Sequence, residues 1–212
     1  MTSYLETTRA SYDTAAVSYH KIVREMLTAS PFNTAALDLF AELLPDHEGS
    51  IGDLGCGTGV VTEYLTALGL DVFGIDLSPG MLEVARTEYP DLRFETGSLL
   101  DLDLPDGQLA GALAWYSLVH TPPEDLPKVF AEIFRVLAPG GVLLHGFKVG
   151  TGTYHLDEAY GHPLSLDVYR YQPADINSLL TEVGFAEVAT LTSAQRENEK
   201  QPQAYLLVRK PD

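Results

Sequence analysis

Seven residues, Asp53-Leu54-Gly55-Cys56-Gly57-Thr58-Gly59, hold the chemistry most readable in this chain. They follow a short apolar run and open an amphipathic segment. Three glycines at alternate positions between strand and helix let backbone approach a ligand that any side chain would hold off. Amides at the start of the helix then face that ligand. Asp76 closes the next strand-like run, Asp71 to Asp76, 21 residues after Gly55. At that spacing an acidic residue reaches a ribose hydroxyl, so the pair specifies a nucleoside. A dinucleotide site wants G-x-G-x-x-G, and Val60 stands where its third glycine belongs.

Other reactive side chains group less tightly. His155, Asp157, Glu158 and His162 are the types that ligate metals, but neither helical nor strand spacing sets all four on one face, and no metal is expected. Cys56, the only cysteine, excludes both an internal disulfide and a cysteine-based metal site. It reads as a small residue packed in a tight loop. Asp101, Asp103 and Asp106, beside Pro105 and Gly107, read as solvated turn carboxylates.

The elements that position the loop follow from periodicity. Residues 3 to 29 place Tyr12, Ala16, Tyr19 and Val23 on one face of a helix, with room for an interruption. Ser30-Pro31 opens a second helix to about Leu44, ended by Pro45. From Ser50 strand and helix alternate: Ile51 to Leu54, helix to Leu68, Asp71 to Ile75, helix from Ser78-Pro79 to Glu88, and Leu92 to Glu95. Leu109 to Trp115 is a fourth strand. Thr121-Pro122 caps a helix over 122–137 whose stripe, Leu126, Val129, Phe130, Ile133, Val136 and Leu137, packs on a sheet. Val142 to Phe147 is a fifth strand. Lys148 to Tyr171, interrupted by Gly150, Gly152, Gly161 and Pro163, reads as an irregular lid rich in tyrosine and histidine that carries specificity. A helix from Pro173 to Val183 precedes two antiparallel strands, Phe185 to Leu191 and Gln203 to Val208. Such alternation builds a doubly wound α/β sheet with ligands at the carboxyl ends of its strands.

At 212 residues and 45% hydrophobic composition the chain is one domain able to bury a large core. Thirteen basic against thirty acidic residues give −17, most of it in residues 1–106, where 5 basic and 18 acidic groups leave −13. That field repels phosphate backbones and excludes a nucleic-acid substrate. No apolar run reaches the ~18 residues of a membrane span, and the amino terminus is not signal-like. A soluble cytoplasmic protein, monomer or homodimer, without a membrane partner is expected.

The D-L-G-C-G-T-G loop with Asp76-Leu77-Ser78-Pro79 resembles the class I S-adenosylmethionine-dependent methyltransferases. Tyr12-Asp13, Ala16 and Tyr19 look like that family's Y-D-x-x-A-x-x-Y, and Leu137-Ala-Pro-Gly-Gly like its Leu-x-P-G-G. The resemblance implies a Rossmann-like seven-stranded sheet of order 3-2-1-4-5-7-6 with strand 7 antiparallel, and a helical cover from residues 1–46. It implies S-adenosylmethionine as cofactor, contacted by Tyr12, Tyr19, Asp53, Gly55, Cys56, Gly57, Asp76, Leu77, Met81, Ser98, Leu99, Trp115, Tyr116 and Ser117. Ser98 stands where the family commonly has an aspartate for the adenine amino group. Methyl transfer from a sulfonium is an in-line displacement that depends mostly on positioning. A hydroxyl or protonated amine acceptor benefits from a base, and His120 is the first choice because its intrinsic pKa suits neutral pH. Tyr12, Tyr19, His20 and Tyr171 come after it. The expected reaction is O- or N-methylation of a small molecule. The alternative is a protein that binds the same cofactor without methyl transfer, a cyclase or a regulatory module.

Overall fold

The computed structural model describes residues 3–44, 49–195 and 201–212. The first helix, α1 (Tyr4–Ala29), is uninterrupted and opens on a capping box: the Ser3 hydroxyl accepts from the Glu6 amide while the Glu6 carboxylate accepts from the Ser3 amide. α2 (Pro31–Leu43) begins with proline in its first turn, as expected. Pro45, expected to end it, lies outside the described residues.

The alternating segment then forms β1 (Ser50–Leu54), α3 (Val60–Ala67), β2 (Val72–Asp76), α4 (Pro79–Glu88), β3 (Arg93–Thr96), β4 (Leu109–Trp115), α5 (Leu126–Val136) and β5 (Leu137–Lys148). Two further strands, β6 (Thr153–Ala159) and β7 (His162–Tyr169), precede α6 (Pro173–Val183), β8 (Ala186–Ser193) and β9 (Gln203–Arg209).

The main sheet has the order β3-β2-β1-β4-β5-β9-β8. Its first five strands are parallel, and β9 runs antiparallel to both β5 and β8. The order matches the expected 3-2-1-4-5-7-6 once β6 and β7, which form a sheet of their own, are left out of the numbering.

Helices cover both faces. Leu126, Phe130 and Ile133 of α5 and Ile176 and Leu180 of α6 pack with Ala204, Leu206 and Val208 of β9. Tyr205 and Leu207, the alternate residues of that strand, join Leu37 and Phe40 of α2 and Leu65 of α3. The two-residue period of the strand thus divides one sequence between two cores.

Two expectations need correction. α5 starts at Leu126 with Asp125 as its cap residue, not at Thr121-Pro122. Pro127 explains the delay: inside a helix begun at 122 it would lack an N–H and strike the carbonyl four residues back, whereas in the first turn neither matters. The segment expected to be an irregular lid is instead the antiparallel hairpin β6–β7. Its turn is Tyr160-Gly161, both with positive φ (56° and 79°), the mirror-image turn that suits strand twist. The glycine read as a break is the turn.

Candidate active site

A cavity opens at the carboxyl ends of β1, β2 and β4, roofed by α1. Gly55, Gly57, Asp76, Leu77, Met81, Ser98 and Leu99 line one half, together with Gly97. Tyr12, Tyr19, Trp115, Tyr116, Ser117 and His120 line the remainder, joined by Tyr4, Leu5, Thr8, Leu100, Thr121 and Val129.

The three glycines of the loop all take left-handed backbone, with φ of 81°, 55° and 78°. Their surroundings differ. A Cβ on Gly55 would lie 2.3 Å from that of Ser117, so this glycine admits the loop after β4. A Cβ on Gly59 would lie 2.6 Å from the Phe94 ring, so the third glycine serves packing of α3 against β3. Only Gly57 would take a Cβ without collision, the Tyr19 ring lying at an ordinary contact distance of 3.4 Å from it. The expectation that all three clear a path for ligand is thus met at Gly57 alone, and the first amides of α3 do not face the cavity, since Gly59, Val60 and Val61 do not line it.

Asp76 ties the loop to β2. Its Oδ2 accepts from the Gly57 amide and its Oδ1 from the Ser78 amide, each at 2.8 Å. Burial raises its pKa, opposed by hydrogen bonds from the Ser78, Gly57 and Leu77 amides. A carboxylate offers about four acceptor positions, so with three amides bonded about one stays free for a ribose hydroxyl.

Two expected contacts are not in the cavity. Asp53 is fully buried on β1, where its Oδ2 accepts from the Thr62 hydroxyl at 2.7 Å and its Oδ1 has no partner. Its side chain points toward α3 because strand alternation sends it there. Cys56 turns its sulfur toward Gly74, whose notional Cβ lies 2.6 Å from it, and it packs with Leu82, Ala85 and Phe94. Burial pushes this thiol well above its ordinary pKa, as befits an inert packed residue.

After β4 the chain makes a sharp corner at Tyr116, a non-glycine residue with φ of 54°. Its amide donates to the Gly146 carbonyl at 2.8 Å, and its hydroxyl reaches that of Tyr205 at 3.2 Å. Trp115 stacks on Tyr205 with ring centroids 5.3 Å apart. Left-handed backbone at a bulky residue is strained and persists where surroundings over-determine it. The Ser117 hydroxyl beyond this corner is buried without a hydrogen-bond partner. Ser98 is partly engaged already, its Oγ accepting from the Leu100 amide at 3.3 Å.

His120 is held at both nitrogens. Nδ1 lies 2.7 Å from the backbone carbonyl of Asp167 on β7, and Nε2 lies 2.9 Å from the Tyr12 hydroxyl. A carbonyl only accepts, so Nδ1 carries the proton and Nε2 presents a lone pair to which Tyr12 donates. Burial lowers the His120 pKa, with Lys148 adding to the effect, and favours this neutral form. The weaker candidates separate: Tyr171 donates to the Thr121 carbonyl, and buried His20 bonds Thr58 and lines a different groove between α1 and α4.

Several contributors escape a sequence reading. Tyr4 and Thr8 stand two turns and one turn before Tyr12, an i, i+4, i+8 row that could have found them. Val129 belongs to a stripe that reads as core. Tyr160, at the hairpin tip, packs edge-on against Tyr19 with centroids 5.0 Å apart, and His162 bonds Ser18 of α1 at 3.0 Å. The hairpin thus rests on α1 over the site. His155 pairs separately with Asp167, and among the described residues His, Cys, Asp and Glu form no group able to hold a metal.

The sheet and the loop define the class I S-adenosylmethionine-dependent methyltransferase fold. Residues 51–141 match the methyltransferase domain family, and this part of the chain belongs to it. A malonyl-[acyl-carrier protein] O-methyltransferase of Serratia marcescens is 32% identical over 157 residues, covering 68% of this chain and 61% of that protein. A trans-aconitate 2-methyltransferase of Rhizobium meliloti is 38% identical over 110 residues, 51% of this chain and 42% of its own length. The chain thus spans less than two thirds of either relative. Among solved structures, a DhpI–SAH complex superposes with a TM-score of 0.75 over 99% of each chain at 21% identity, which shows the shared fold.

Proposed function

We propose that this protein transfers a methyl group from S-adenosylmethionine to a small-molecule acceptor. The observation that carries the reading is the Asp76 carboxylate, bonded to the Gly57 amide at the ends of adjacent strands, in a cavity whose far wall is aromatic. The residues fit the cofactor: Asp76 has acceptor capacity for the ribose, Gly57 leaves space beside the loop, and the Ser117 hydroxyl lacks a partner. Leu77, Met81 and Leu99 offer apolar contact for the adenine, with Ser98 at its edge. Bound there, S-adenosylmethionine supplies a methyl group already activated on a sulfonium. The chain's own task is to hold the acceptor in line and exclude water. Trp115, Tyr116 and Tyr12 wall the acceptor side, and neutral His120, bonded to Tyr12, serves as the base.

The name of one relative describes methyl transfer to trans-aconitate, a small organic acid, and that of the other to malonyl on acyl-carrier protein; the first supports a small-molecule acceptor. The net charge of −17 favours such an acceptor over nucleic acid. Titration calorimetry tests the reading: S-adenosylmethionine and S-adenosylhomocysteine should bind with micromolar or tighter affinity, and folded protein that binds neither rules it out. Labelled-methyl incorporation into an acceptor then separates a transferase from a protein that only binds the cofactor.

A further inference from the structure

We infer that the acceptor is a hydroxyl group on an apolar, aromatic frame, delivered to the site uncharged, and that a carboxylate acceptor is rejected. This rests on the methyltransferase reading. Two independent observations carry it.

The first is the charge of the acceptor half of the cavity. Tyr4, Leu5, Thr8, Leu100, Thr121 and Val129 line it beside Tyr12, Tyr19, Trp115, Tyr116, Ser117 and His120, and none of these carries a carboxylate or a fixed positive charge. Among the described residues the one carboxylate in the lining, Asp76, sits in the nucleoside half, and no lysine or arginine lines the cavity. Lys148 is close enough to influence His120 but stands outside that lining. A carboxylate entering here would lose its hydration without gaining a cation or a bidentate partner. A phenol or similar alcohol loses far less, and the ring edges and apolar side chains match its frame.

The second is the state of His120. The Asp167 carbonyl fixes the proton on Nδ1, which leaves Nε2 as an acceptor with Tyr12 donating to it. A carboxylate nucleophile arrives already deprotonated and has no use for a base. A hydroxyl nucleophile does. Tyr12 and His120 both line the cavity, and the hydrogen bond between them lets a proton taken at Tyr12 move on to His120. In the transfer, an oxygen lone pair of the acceptor forms the O–CH3 bond as the S–CH3 bond breaks and its electron pair stays on sulfur. The acceptor proton passes to the Tyr12 oxygen while Tyr12 gives its own to His120 Nε2, and the imidazolium then releases it to solvent. Tyr12 is on this reading a proton relay as well as a wall.

The test uses the full chain saturated with S-adenosylhomocysteine, whose binding is measured first; a failure there removes the methyltransferase reading and is distinct from a failure of the acceptor comparison. Ligand-observed NMR then compares two matched pairs, para-cresol with para-toluate and 2-naphthol with 2-naphthoate. At least one alcohol should bind tenfold or more tightly than its carboxylate partner, and in a separate assay with methyl-labelled S-adenosylmethionine in place of S-adenosylhomocysteine the label should transfer to that alcohol. Tighter or equal binding of the carboxylates, or no binding by either alcohol, overturns the inference.

Discussion

The carboxylate of Asp13, on α1, accepts a hydrogen bond from the Gly80 amide at 2.8 Å, across to the first turn of α4. The same Oδ1 accepts from the Ser78 hydroxyl at 2.6 Å, and Ser78 in turn accepts from the Met81 amide. One carboxylate therefore anchors the roof of the site and completes the cap of the helix that follows Asp76. It also sits where the positive end of the α4 dipole favours a negative charge. Asp13→Ala should cost about 0.5 to 2 kcal/mol of stability, the range for losing a helix cap. Cofactor binding should weaken as well, because Tyr12 and Tyr19 lose their anchor. Urea unfolding and titration calorimetry on one variant check both. Gly80→Ala provides a second route, since its Cβ would stand 2.9 Å from the Asp13 Cα.

Asp76→Asn should weaken S-adenosylmethionine binding by about 1.5 to 3 kcal/mol, at least tenfold, because charge-assisted bonds to ribose are lost. The substitution also turns an NH2 group toward either the Gly57 or the Ser78 amide, both donors. Calorimetry that finds unchanged affinity would remove Asp76 from the nucleoside site.

Gly55 and Gly57 share a left-handed backbone, which costs a side-chain-bearing residue of order 1 to 3 kcal/mol in each case. They differ in space. Gly55→Ala adds a collision with Ser117 and should unfold at clearly lower urea concentration than Gly57→Ala. Gly57→Ala should remain folded and lose cofactor affinity instead. Comparing unfolding midpoints and binding constants for the two variants separates the roles.

His120 faces Tyr12 from α1, Asp167 from β7 and the charge of Lys148 from β5. Its pKa lies below the ordinary 6.5, so the imidazole is a competent base at neutral pH and protonates only on the acid side. Methyl transfer should be level through neutrality and fall at acid pH. His120→Asn should lower kcat by about a hundredfold or more, within the span usual for general bases, and abolish that acid limb. An acid limb that survives in the variant belongs to another group.

Two buried groups set opposite pH dependences of stability. Burial raises Asp53 to about 7, so between 3.8 and 7 the folded chain keeps a proton that the unfolded chain has released. Its contribution therefore falls as pH rises through that window. Burial lowers His145 to about 4, and between 4 and 6.5 the unfolded chain holds the extra proton, so this contribution rises with pH. The slopes offset in the native chain. Asp53→Asn removes one of them, and the difference in stability between variant and native should grow by ~1.4 kcal/mol per pH unit across the shared window. Urea titrations at pH 4.5, 5.5 and 6.5 measure it.

Much of the cavity lining at the ends of β1, β2 and β3 is legible from sequence because its logic is local. Gly55, Gly57, Asp76, Leu77, Met81, Ser98 and Leu99 all line the cavity; Asp76 ends β2, Met81 is in the first turn of α4, and the others follow strands that periodicity identifies. Asp53 and Cys56 belong to the same motif yet face away from the cavity. A motif gives order along the chain, and side-chain direction depends on what packs beside it. The hairpin shows the converse: Gly161 is visible in the sequence, but Tyr160 taking positive φ beside it is not, since tyrosine gains nothing locally from that conformation.

What the sequence determined by itself is the alternation of strand and helix, the left-handed loop at Gly55, and the acidic residue at the end of the next strand. These are consequences of backbone sterics and of side-chain period, which act over a few residues. The tertiary structure alone decided the surroundings of His120. His120 meets Tyr12 across 108 positions of chain and the Asp167 carbonyl across 47, and no periodicity records either distance. His120 acquires its tautomer only when α1, the corner after β4 and β7 close on one another. Burial there removes the water that would otherwise bond both nitrogens, so the packing fixes which one is free to take a proton.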